Sequence, residues 1–393
     1  MILAFYNRKG KRYNSEKLIS SIDILLTIFS VFQKSNRKEA DLLKNAKTYL
    51  LKSDELNAFF EKLEERYDIY APVRVPAGGR YAMQDSVLYR QVHSYGEIEF
   101  RERSTYPMKE VLTPITQTLF YFTDDEYRES KAPEKDLLIF GRACDINAVK
   151  IQDQIYLRNG GVEDSFYKRI RDRVKFALME CKEQFEGCFC CSVGANETDL
   201  HSIAVSFGEQ EARVEVLDEA FEGFFDRAEP SDYRIRFPQE NELKVEYPVI
   251  DSIDLANKLK EHPMWKEFDD RCVACGSCTV ACSTCTCFET VDLVYTQNAH
   301  VGERRRTCSS CMVDGFDEMA GGQCFRKTTA EKYRYKILHK VYGHDARFHT
   351  GPMCVGCGRC SARCPELISY PATLNKLAKA IAEIKQEGET QHA

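Results

Sequence analysis

Apolar positions along the chain change period several times, and each change marks a structural boundary. Residues 15–68 place their hydrophobic side chains at helical spacing, within an N-terminal helical extension over 1–70. Asp54 is the expected N-cap of a helix over Glu55–Tyr67. The apolar run Leu18–Phe32 is broken by Ser20, Ser21, Asp23 and Thr27, which suits a buried or interface helix better than a membrane span. Pro72, Pro76, Gly78 and Gly79 then predict a loop. From about residue 80 to 250 the pattern is mixed. Asp136–Phe140 reads as a buried strand and Ser165–Phe185 as a helix, while Phe189–Val193, Ser202–Phe207 and Arg213–Leu217 read as strands. A helix and linker over Leu255–Phe268 follow. Later helical stretches fall at Arg326–Tyr342 and Thr373–Ile384, with a frayed tail after Gln386.

The pattern predicts an α+β protein in two parts. A mixed α/β partner-contact domain covers 1–250, and a ferredoxin-like dicluster domain with a long helical insertion covers 251–393. With 393 residues, a net charge of −6 and 43% hydrophobic residues, the chain has an ordinary soluble composition. Nothing in that balance favours a nucleic acid or a membrane as partner. Asn7, Arg8 and Lys9 follow a short apolar start, the wrong order for a secretory signal, so a cytoplasmic location is expected. Eighteen cysteines in such a chain point to reduced thiols and metal chemistry.

Eight of those cysteines form two runs of identical C-x2-C-x2-C-x3-C spacing. These are Cys272, Cys275, Cys278 and Cys282, then Cys354, Cys357, Cys360 and Cys364. Two-residue gaps let the chain curl around one face of a cubane, and the fourth cysteine of each run commonly serves the other cluster. Crossed ligation then gives Cys272, Cys275, Cys278 and Cys364 to one [4Fe-4S] cluster, and Cys354, Cys357, Cys360 and Cys282 to a second. Gly276, Gly356 and Gly358 lie inside the runs, where left-handed backbone and close approach favour glycine. Pro365 follows the second run, whereas Ser283 follows the first. The 71 residues between the runs contain Arg304–Arg306 and the basic stretch Arg326–Tyr342, either a solvated face or a docking surface for an acidic partner.

The ten remaining cysteines divide in two. Cys181, Cys191, Cys308 and Cys324 read as small buried hydrophobes. Cys144, Cys188, Cys190, Cys285, Cys287 and Cys311 are candidates for a third iron–sulfur cluster or a zinc site bridging the two domains. Asp145 and Asp153 are expected in helix-capping and surface roles, and His339, His344 and His349 do not form a ligand set. No dinucleotide fingerprint, phosphate loop or zinc-protease motif occurs, so no catalytic residue is assigned.

Several segments together resemble the A subunits of anaerobic sulfite reductases. They are Arg271–Cys282 (RCVACGSCTVAC), Thr284–Phe288 (TCTCF), Gly302–Arg306 (GERRR), Met319–Gly322 with Phe325–Arg326, and Met353–Pro365 (MCVGCGRCSARCP). Upstream, Thr118–Phe122, Phe140–Ala148 (FGRACDINA) and Cys188–Gly194 (CFCCSVG) fit as well. The resemblance covers roughly residues 55–385, and a more distant one is to the β subunits of cytosolic sulfhydrogenases. It implies a non-catalytic relay subunit of an NADH-dependent complex. A flavin- and NADH-binding subunit would supply electrons, and a sirohaem subunit would reduce sulfite to sulfide. The alternatives are the iron–sulfur β subunit of a sulfhydrogenase or another flavin-linked reductase, a zinc-binding scaffold, and a self-contained flavin enzyme.

Overall fold

The computed structural model describes residues 47–391 except 80, 82, 296, 298 and 299. The helical expectation for residues 15–46, including Leu18–Phe32, lies outside the described residues. Residues 47–52 and 67–70, also expected to be helical, are strands. They belong to β1 (Lys47–Lys52) and β2 (Tyr67–Val75), which flank helix α1 (Ser53–Glu64). Asp54 sits in the first turn of α1, and Lys52 occupies the cap position. Pro72 is tolerated inside β2 because the parallel neighbour pairs only with Tyr67–Tyr70. Beyond Tyr70 only the antiparallel partner remains, and the missing N–H leaves no ladder bond unmade.

The remaining strands are β3 (Ser86–Gln91), β4 (Thr116–Phe122), β5 (Tyr127–Glu129), β6 (Asp136–Gly141), β7 (Val174–Met179), β8 (Ile203–Phe207), β9 (Glu211–Val216), β10 (Glu229–Ser231), β11 (Phe288–Val294) and β12 (Gly302–Cys308). A small β13–β14 hairpin follows at Glu318–Met319 and Gln323–Cys324. One sheet has the order β10-β1-β9-β8-β7-β6-β2-β3, parallel from β2 through β8. Its β6 alternates sides: Leu138 and Phe140 pack with Phe59 and Phe60 of α1, while Leu137 and Ile139 face the other side. That second face is covered by α2 (Ala143–Leu157) and α3 (Ser165–Arg171).

The expected helix over Ser165–Phe185 ends at Arg171, and β7 begins three residues later. A parallel strand buried on both faces reads as a continuous apolar run, which periodicity cannot separate from a buried helix. Phe189–Val193, expected as a strand, contains a 3₁₀ turn over Cys190–Val193.

Residues 232–252, around the expected domain boundary, carry no helix or strand. The second sheet, β11-β12-β4-β5, nevertheless draws two strands from each side of residue 250. It contains the Arg304–Arg306 run, and each arginine there has an acidic partner within the chain. Arg304 is bidentate to Asp292 at 2.7 Å through both contacts, Arg305 pairs with Glu303, and Arg306 with Asp164. The insertion therefore includes a β-ribbon as well as helices. A third apolar core gathers α4 (Ile253–Glu261), α5 (Thr329–Leu338) and α6 (Tyr370–Gln391) around Trp265, Phe268, Tyr333, Leu374 and Leu377. Helix α6 continues past Gln386, where a frayed tail was expected. Among the described residues no helix is long and apolar enough to cross a membrane.

Candidate metal centres

The two cysteine runs fold alike because their backbones make the same pair of left-handed turns. Ala274 and Gly276 have φ of 51° and 74°; Gly356 and Gly358, at the matching positions, have 63° and 73°. Each pair leads into one helical turn, Ser277–Val280 or Arg359–Ala362, which carries the third cysteine of its run. Glycine is required at 356 for a second reason. An added Cβ would lie 2.6 Å from the backbone nitrogen of Cys190 and the carbonyl carbon of Phe189.

Two cavities open between the runs. One, of about 450 Å³ including its solvent-open mouth, is lined by Cys272, Cys275, Cys278 and Cys364, with Cys360 in its wall. The other, about 360 Å³, is lined by Cys282, Cys354, Cys357 and Cys360, with Cys278 in its wall. The fourth cysteine of each run thus faces the other run's cavity. Cys278, Cys360, Lys336 and Tyr370 border both, so the two spaces share a wall.

The surroundings call for anions. Lys336 and Lys340 are each only 3% exposed, and among the described residues neither has an acidic partner. Lys340 donates to Thr284 Oγ1 at 2.8 Å, and Lys336 reaches the Cys278 carbonyl at 3.4 Å. Burial works against both ammonium groups, yet facing thiolates hold them well above the usual lysine range: Cys278 and Cys360 for Lys336, Cys282, Cys285 and Cys354 for Lys340. The Tyr370 hydroxyl is buried without a hydrogen-bond partner. Uncompensated buried charges of this kind are costly, and a negatively charged cluster removes that cost. As free thiols Cys354 and Cys360 are pushed up by burial, Cys360 to about 12. Metal ligation reverses that by deprotonating the thiol outright. The residues present fit iron–sulfur clusters.

The basic stretch Arg326–Tyr342 is therefore split: Lys327 is exposed and Arg326 and Arg334 are half-buried, whereas three lysines turn inward. Lys332, Lys336 and Lys340 recur every four residues, and all three are buried. This regular spacing was the available signal in the sequence.

The other cysteines do not gather into one bridging centre. Cys285 lies beside Cys282, and Cys287 contacts Cys311, whose hydrogen bond lowers the Cys287 thiol to about 6. Cys144, Cys188 and Cys190 line a separate cavity of about 350 Å³, joined there by Cys181, expected as a small buried hydrophobe. Among the described residues no three His, Cys, Asp or Glu groups close on one point at metal-ion distance. Asp145 is not a surface residue, and Asp153 is half-buried. Asp145 is 2% exposed and pairs with Arg359, while Asp153 accepts from Arg171 at 3.0 Å and Tyr167 at 2.8 Å.

Comparison with known proteins places a 4Fe-4S dicluster domain at residues 271–368. Over 349 residues the chain is 28% identical to sulfhydrogenase 2 subunit beta of Pyrococcus furiosus, covering 84% of this chain and 98% of that one. No solved structure matches.

Proposed function

Starting from a redox protein with a two-cluster 4Fe-4S domain and a sulfhydrogenase β subunit as relative, we propose that this chain is the iron–sulfur relay subunit of a sulfhydrogenase-type complex. Such clusters, when bound, supply one-electron transfer. In this reading Cys272, Cys275, Cys278 and Cys364 hold one cluster, and Cys282, Cys354, Cys357 and Cys360 hold the other. The observation that carries it is the pair of adjoining cavities, each completed by a cysteine from the opposite run. Lys336 and Lys340 balance the clusters' negative charge, and the core around Trp265, Tyr333 and Leu374 limits water. The chain has no catalytic centre of its own here. It works in the cytoplasm with a flavin- and NADH-binding subunit as electron source and a second subunit as terminal acceptor.

The motifs from Arg271–Cys282 to Met353–Pro365 keep a second reading in view, in which the acceptor is a sirohaem subunit reducing sulfite. Similarity across 98% of the Pyrococcus subunit favours the first. Anoxic co-purification with metal analysis separates them. A nickel-containing partner is expected; a sirohaem partner would replace the first reading by the second, and a chain without reducible iron would remove both. Cys282→Ala tests the ligand sets: it should remove the cluster of the second run, despite lying in the first.

A further inference from the structure

We propose that Cys144, Cys181, Cys188 and Cys190 hold a third iron–sulfur cluster of the cubane class, at the carboxyl edge of the eight-stranded sheet. The reading stands apart from the choice of terminal acceptor and uses the dicluster domain only as its neighbour.

The four thiols come from three segments that the parallel strands bring together. Strand β6 ends at Gly141, and Cys144 lies in the first turn of α2 just beyond it. Strand β7 ends at Met179, with Cys181 two residues further on. Cys188 and Cys190 sit on the loop that follows. The carboxyl ends of parallel strands are where open α/β sheets bind their ligands. All four cysteines are free thiols and line one cavity of about 350 Å³, close to the 360 Å³ of the second run's cavity. As with that cavity, the sulfurs surround a volume and do not converge on a single-ion point.

Charge supplies the second argument. Arg103, Arg142 and Arg359 border the cavity, against a single carboxylate, Asp145. Arg359 is satisfied by Asp145. Arg142 is buried, stacks on Phe185 at 4.5 Å, donates to the carbonyls of Glu180 and Phe100 at 2.9 and 2.5 Å and hydrogen-bonds the Cys181 thiol. Arg103 donates to Cys188 Sγ at 3.5 Å and to the carbonyls of Glu186 and Cys357 at 3.1 and 2.6 Å. Among the described residues neither has an acidic partner. This is the same signature that Lys336 and Lys340 give the dicluster cavities, and a purely apolar cysteine cluster would not need it. Asn241 Nδ2 donates to Cys190 Sγ at 3.8 Å, in the manner of donors that tune cluster thiolates.

The centre is positioned to extend the relay. One guanidinium, that of Arg103, spans Cys188 and the backbone of Cys357, and the Phe189 N–H donates to the Gly356 carbonyl at 2.8 Å. A third cluster would thus abut the second run's cluster and carry the redox chain from the C-terminal part into the α/β sheet.

Iron and acid-labile sulfide analysis of the anoxically purified full chain tests this. The expected content is about twelve of each per chain, against about eight for two cubanes. Cys144→Ala and Cys188→Ala should each remove about four of each and one reduced-state EPR signal, leaving two. Cys191→Ala and Cys287→Ala should remove none. Cys275→Ala, by contrast, should strip a dicluster site; retention of all iron there would count against the dicluster ligands and not against this proposal. The conservative Cys188→Ser covers the case where the alanine variants misfold, and should shift one EPR signal while two stay fixed. The proposal is overturned if the wild type holds about eight irons, if zinc fills the site, or if the Cys144 and Cys188 variants keep every iron and every signal unchanged.

Discussion

Removing the carboxylate of Asp145 should unfasten the second cluster loop from the α/β sheet. Asp145 and Arg359 are both 2% exposed and meet through two parallel contacts, Nη1–Oδ1 at 2.6 Å and Nη2–Oδ2 at 2.9 Å. Three further bonds run from Nε to the Ser104 carbonyl at 2.9 Å, from Nη2 to Ser104 Oγ at 2.9 Å, and from Nη1 to Ser283 Oγ at 3.3 Å. All five guanidinium donors are thus committed. Asp145→Ala leaves a buried cation without its counter-charge, which costs about 3–5 kcal/mol. In a unit the size of Thr48–Ala393 that corresponds to a fall in Tm of roughly 4–7 °C. The assay is anoxic differential scanning calorimetry on the wild type, Asp145→Ala, Arg359→Met and the pair Asp145→Leu with Arg359→Met. The pair should recover at least half of the loss, because an apolar replacement leaves no orphaned charge. A fall below about 2 °C in the single variant, or a double variant as poor as the two losses added, would refute the reasoning.

Other predictions follow from the same geometry. Lys340→Met should lower the potential of one dicluster centre only, since Lys340 lines one cavity, while Lys336→Met should lower both; anoxic redox titration monitored by EPR separates the cases. Gly356→Ala meets backbone atoms at 2.6 Å and should cost more than about 3 kcal/mol, visible as loss of cluster retention. Gly351→Ala is the control: its φ of 84° is also left-handed but open space surrounds it, so it should cost about 1–2 kcal/mol. Burial lowers the His201 imidazole to about 4, and its Nδ1 has no hydrogen-bond partner. The unfolded chain therefore takes up this proton first, and stability is complete above pH ~6.5 but declines as pH falls towards 4, by at most about 3 kcal/mol. Acid-unfolding curves should flatten in that window for His201→Asn, and an unchanged curve would exclude the histidine as the cause.

The dicluster site was legible because its signal is covalent spacing. A cubane fixes where thiolates must stand, and two copies of one run leave little freedom. Strands such as Asp136–Phe140 and Ser202–Phe207 were legible because short β-branched or aromatic runs have few other uses. Strand β7 was hidden because Val174–Met179 is buried almost throughout, so its two faces give no alternation. The inward lysines were hidden because a basic helix normally faces water, and only an anion within the fold reverses that. Cys181 was overlooked for a related reason. It lies 37 residues from Cys144 in the chain and reaches the same cavity only through the adjacency of β6 and β7, which is a property of topology and not of spacing.

The sheet built from β4, β5, β11 and β12 has a consequence for biogenesis. β12 supplies the hydrogen bonds that β4 lacks, but the ribosome delivers it roughly 180 residues later, about 10–40 s at ordinary elongation rates. Until then β4 presents an open edge, the feature by which nascent chains stick to one another. By the time β12 emerges the first cysteine run has already been synthesised, so closure of that edge and delivery of iron to the thiols compete within the same interval. Cells starved of iron should therefore accumulate this polypeptide as aggregate and not as soluble apoprotein, a difference that a simple fractionation of lysates would reveal.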